Sequence, residues 1–98
     1  MIPSITWDAA AQDLLAYYRA YGTRNAVEAE GKLKQLTRYF ARIKLGDIDA
    51  PAILGYVTHR LKLGRTAATI NVELATLRRA LRLAREHKKL ADVPVFGS

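Results

Sequence analysis

The feature that most constrains the fold is the spacing of the apolar residues. They recur every three or four positions along almost the whole chain, while the strict alternation of a half-buried strand is nearly missing. Such a pattern asks for helices that each bury one stripe. Gly, Asp and Thr punctuate it into four segments. The first starts after Thr6, a capping residue type, with Asp8 in the turn where the helix dipole favours an acid. It carries Trp7, Ala11, Leu14, Tyr18 and Tyr21 on one face and ends at Gly22, which tolerates the left-handed stop. The second starts near Asn25, with Glu28 as its capping-box partner, and runs to about Lys44 with Ala29, Leu33, Leu36, Phe40 and Ile43 inward. A tight corner over Leu45-Gly46-Asp47-Ile48-Asp49 follows, its two apolar side chains free to tuck into the core. Asp49 caps the third segment, and Pro51 is allowed in its first turn because the early amides lack intrahelical partners. Ile53, Val57 and Leu61 face the core, and Gly64 stops the helix. The fourth is the longest: Thr66 caps it, Ile70, Leu74, Leu77, Leu81 and Ala84 form its seam, and Pro94 marks the end of regular structure. The reading is one all-α domain of four helices over about residues 7–21, 25–44, 50–63 and 67–88.

With 98 residues, half of them hydrophobic, the chain can bury one modest core. Cysteine is absent, which excludes disulfides and thiolate metal sites. No apolar run approaches the ~20 residues of a membrane span. The opening Met1-Ile2-Pro3-Ser4 lacks the basic-then-apolar pattern of a secretory leader, so a cytoplasmic location is expected. Sixteen Lys and Arg against nine Asp and Glu give a formal charge of +7. A field of that sign attracts polyanions.

Placing the charge on helical wheels sharpens this. At about 100° per residue, the fourth segment puts Asn71, Ala75, Arg78 and Arg82 in one line, with Arg79 and Arg85 on its flanks. Glu73 and Glu86 are its only opposing charges, and both are read as lying off the stripe. Like charges at i and i+4 repel by a few tenths of a kcal/mol, and an anionic partner would relieve the strain between Arg78 and Arg82. Asn71 suits an adenine edge or a phosphate. Arg65 and Thr66 precede the helix, where free amides favour phosphate, although Thr66 serves equally as a plain cap. The second segment repeats the theme with Lys34, Gln35, Arg38 and Arg42 opposite its apolar stripe, and its acids Glu28 and Glu30 are read as clustered in the first turn, where they suit the helix dipole. Two such helices could line one groove of a duplex if their basic faces adjoin, which a wheel does not show.

Catalytic patterns are missing. Tyr17, Tyr18 and Tyr21 read as core or near-core packing, and Tyr39 and Tyr56 as residues at the edges of apolar stripes. His59 and His87 have no partner at ligand spacing, His59-Arg60 reads as surface, and the glycines are isolated rather than gathered into a phosphate loop. No metal or cofactor is expected.

The stretch Ala68-Thr69-Ile70-Asn71-Val72-Glu73-Leu74-Ala75-Thr76-Leu77-Arg78-Arg79 resembles the corresponding helix in the N-terminal core-binding domain of tyrosine recombinases, the phage-integrase family. Upstream, Gly31-Lys32-Leu33 to Tyr39-Phe40, Leu45-Gly46-Asp47-Ile48, Ile53 to Tyr56-Val57, Arg60 and Gly64 follow that family's order. Downstream, Leu83-Ala84 and Val93-Pro94 match the approach to the interdomain linker. The resemblance thus covers roughly residues 10 to 95. It implies a four-helix, SAM-like orthogonal bundle whose second and fourth helices lie against the major groove of a recombination site. It also implies that the catalytic Arg, His and Tyr belong to a second domain, not contained in these 98 residues, so that this domain is not itself an enzyme. A monomer is expected for the domain alone, and a tetramer on DNA for the parent protein. One departure is Val72, where family members often carry Arg; the phosphate contact implied there cannot be made. Two other readings stay open: a helix-turn-helix regulator, and a helical protein-interaction domain with a basic surface.

Overall fold

The structure, a computed structural model, describes residues 5–21 and 25–87. It is an all-α bundle of four helices in the expected order: α1 (Trp7–Ala20), α2 (Asn25–Phe40), α3 (Ala50–Lys62) and α4 (Ala67–Glu86), with one 3-10 turn at Leu45–Asp47. The stop at Gly22 and the end at Pro94 fall outside the described residues, as does whatever precedes Asn25 at the start of α2. α4 is the spine, lying against α1 and α2 and, over a shorter stretch, α3. At 20 residues it is about 30 Å long.

The core follows the apolar stripes except at Tyr21, Val57 and Leu61, with Ile43 and Leu74 only partly buried against it. Trp7, Ala11, Leu14 and Tyr18 of α1 are buried, as are Ala29, Leu33, Leu36 and Phe40 of α2 and Ile70, Leu77, Leu81 and Ala84 of α4. Tyr21, placed inward from its spacing, is 70% exposed, because α1 ends at Ala20 before its stripe completes another turn. On α3, Ile53 is buried but Leu61 is 52% exposed and Val57 only half-buried; Tyr56 and Arg60 take the inward positions instead. Tyr56, read as an edge residue, and Arg60, read as surface, are both corrections. The ring of Tyr56 stacks on Phe40 at 5.5 Å, and Phe40 meets Trp7 at 6.3 Å, so an aromatic chain joins α3 to α2 and α1. Gly55 makes room for the Tyr39 ring that lies against α3: a Cβ there would stand 2.6 Å from its hydroxyl.

α2 stops at Phe40, four residues before the expected end. Arg42 adopts φ 67, a left-handed conformation that costs a non-glycine residue roughly 1–2 kcal/mol. Its amide donates to the Asp8 carboxylate at 2.9 Å. The chain released by this early stop, residues 43–45, pairs with the segment before α1. Trp7 N–H donates to the Ile43 carbonyl and Leu45 N–H to the Ile5 carbonyl, each at 2.8 Å. Thr6, expected to cap α1 through its side chain, makes no such bond. An isolated antiparallel bridge from Lys44 to Thr6 thus takes the place of the expected last turn of α2, and the buried Leu45 and Ile48 anchor the corner as expected. Asp49 and Thr66 do cap: their side chains accept from Ala52 N–H at 3.1 Å and Thr69 N–H at 3.2 Å. Gly64, at φ 85, turns the chain from α3 into α4.

Candidate nucleic-acid interface

The site is built on two sides of α4. On the inner side Glu73, 4% exposed, receives three hydrogen bonds. Arg60 donates from Nε to Oε1 at 3.0 Å and from Nη2 to Oε2 at 2.6 Å, and the Tyr56 hydroxyl donates to Oε1 at 2.7 Å. Burial, then the bond to Glu73, raises the Tyr56 pKa well above the usual phenol value. Arg60 is held even more firmly protonated, chiefly by its bonds to Glu73. The carboxylate in the middle of α4 is therefore neutralised from within. It contributes no net charge outward.

The outer side carries Asn71, Ala75, Arg78 and Arg82, all exposed. From Asn71 to Arg82 this ridge runs for roughly 17 Å along the helix. The structure brings these four together as the spacing predicts, with Arg79 and Arg85 exposed beside them. Arg79 leans toward α1, where its Nη1 donates to the Tyr18 hydroxyl at 3.0 Å. Glu86 is a correction: it is exposed and lines one hollow with Arg79 and Arg82, so it adjoins the stripe rather than lying off it.

The second basic line is only partly realised. Lys34 and Arg38 are exposed, but they border the groove between α2 and α1, with Ala11, Gln12 and Leu15 opposite. Glu30, one turn beyond the first turn in which it was placed, bridges to Lys34 at 3.8 Å and to Arg19 at 3.7 Å. Arg42 is not on α2 at all. It is the left-handed residue that ends the helix, and the line of three cations shortens to two. Gln35 does face α4, sharing a groove with Lys32, Arg65, Thr69 and Glu28. Thr66 is occupied as the cap of α4.

The residue that the sequence reading missed is Lys32. It lines both hollows between α2 and α4, one with Gln35 and Arg65 and the other with Val72, Ala75 and Arg79. Its position beside the apolar stripe was legible on the wheel. Which flank of α2 would be covered by α4 was not. Among the described residues no three His, Asp or Glu side chains gather as a metal site, and no helix is long and apolar enough to cross a membrane. No protein-family model, curated protein or solved structure matches the chain.

Proposed function

We propose that this chain is a duplex-DNA-binding module, the non-catalytic core-binding domain of a site-specific tyrosine recombinase acting in DNA integration. The observation that carries the DNA-binding part is the exposed Asn71–Arg82 ridge on a helix whose central carboxylate is turned inward and neutralised by Arg60. The recombinase part rests on the ordered sequence resemblance and on the four-helix all-α fold. Arg78 and Arg82 contact phosphates, Asn71 reads a base edge or a phosphate, and Arg79 and Arg65 border the contact. Lys32 stands across a hollow from Val72, and so offers a cation close to where the family often has Arg. Lys34 and Arg38 lie farther round α2 and make outlying phosphate contacts. The chemistry of strand cleavage belongs to a separate domain, and no cofactor takes part here.

Fluorescence anisotropy with a labelled duplex across a salt series tests this. Neutralising about five phosphates gives a log–log slope near −4.5; a flat response overturns the reading. One observation favours a second reading, a protein-interaction domain. Leu54 and Leu61 are 65% and 52% exposed on the outer side of α3, which spares them no core role. Binding that is independent of salt, to a protein rather than to DNA, would select it.

A further inference from the structure

One hollow lies between the C-terminal halves of α1 and α4. It encloses about 310 Å³ and is lined by Leu14, Tyr17, Tyr18, Arg79, Arg82, Leu83 and Glu86. That volume sits at the small end of the ~300–1,000 Å³ of ligand sites. Its floor is apolar, since Leu14 and Leu83 are buried. One wall is aromatic: Tyr17, 44% exposed, packs edge-on to Tyr18 with centroids 6.1 Å apart and against Tyr21 at 4.7 Å. Tyr17 and Tyr21, tilted against each other, leave neighbouring apolar ring surface open to solvent. The other wall is cationic, with Arg79 tethered by the Tyr18 hydroxyl and Arg82 one turn along. Among the described residues Arg82 is in no ion pair with Glu86, although the two share this hollow.

Aromatic faces beside guanidinium groups form the combination that holds unstacked nucleotides, because every base has a π-face and every nucleotide a phosphate. We infer that this hollow receives one unpaired nucleotide of a DNA strand, its base against Tyr17 and its phosphate between Arg79 and Arg82. Glu86, the one carboxylate in the lining, accepts from the amino group of a cytosine or adenine. The inference rests on the DNA-binding reading above and adds α1 to the interface, with a preference for duplexes that offer an extruded base. The arginines join the hollow to the outer ridge, so a single strand contacts both.

Anisotropy titrations of the whole 98-residue chain at low salt should compare three 20-base-pair duplexes: fully paired, with one unpaired cytidine, and with one abasic bulge. The cytidine bulge is expected to bind about fivefold or more tightly than either of the others. Tyr17→Ala, at a half-exposed position, should remove that advantage while leaving affinity for the paired duplex within about twofold; Tyr17→Phe, which keeps the ring, should retain it. Equal affinity for the cytidine and abasic bulges overturns the inference, since the bend alone then explains any gain. Free dCMP that competes as well as the bulged duplex also overturns it, because the occupant is then a mononucleotide. If the paired duplex binds and responds to Arg78 and Arg82 but the bulge brings nothing, only this inference fails. If no duplex binds, the DNA-binding reading fails with it.

Discussion

The two sides of α4 use the same residue type for opposite purposes. Beneath the helix, Arg60 is 6% exposed and bound through two nitrogens to Glu73. On top of it, Arg78 and Arg82 are exposed on a line free of acids between Asn71 and Arg82 except for the inward Glu73. Taking a guanidinium out of water is affordable only where a carboxylate and further hydrogen bonds replace the lost hydration. Tyr56 provides the third bond to Glu73, and no buried side-chain polar atom among the described residues lacks a partner. The lesson is that a count of sixteen cations overstates the surface field unless each one is located. Arg60 holds α3 to α4; the ridge leaves its cations exposed on the outer face.

The largest effect should come from the buried side. Glu73→Ala leaves Arg60 buried without its partner and should cost about 3–5 kcal/mol of stability, measured by urea denaturation. A loss under 1 kcal/mol would mean that Arg60 simply swings into water, and the contrast between the two sides would collapse. On the outer side, Arg78→Glu with Arg82→Glu should lower duplex affinity about 100-fold and flatten the salt slope by about 2. The circular dichroism spectrum should not change, and normal binding by the double variant would make the ridge mere solvated surface. Reversing Lys34 and Arg38 instead tests how far the contact extends round α2. The expected loss is about tenfold or less, and a loss equal to that of the ridge variant would place both helices equally on the DNA. The smallest effect separates backbone from charge at Arg42. Arg42→Gly relieves the left-handed conformation and should raise stability by about 1 kcal/mol in the same denaturation experiment, with little change in duplex binding.

The fold was more legible than the site. Helix starts at Trp7, Ala50 and Ala67 agree with the positions of Thr6, Asp49 and Thr66, and the capping bonds of Asp49 and Thr66 are local, within three residues. The end of α2 was not legible, because what stops it is a bond from Arg42 to Asp8, 34 residues away. Tyr17 and Tyr21 were misread for a related reason. Spacing put Tyr21 on the α1 stripe and Tyr17 close to it, but α1 ends at Ala20, short of Tyr21, and the α4 side chains close over Tyr18 while Tyr17 stays half-exposed.

By itself, then, the sequence determined four helices, the residues of most of their buried stripes, and the line from Asn71 to Arg82, because helical periodicity and caps act over one or two turns. Only the tertiary structure decided which charges remain outside. Arg60 went in and Lys32 came to the groove because the neighbours of a helix flank are set by the packing of distant segments. Burial and partner choice depend on that packing, and a wheel drawn on one helix contains no information about it.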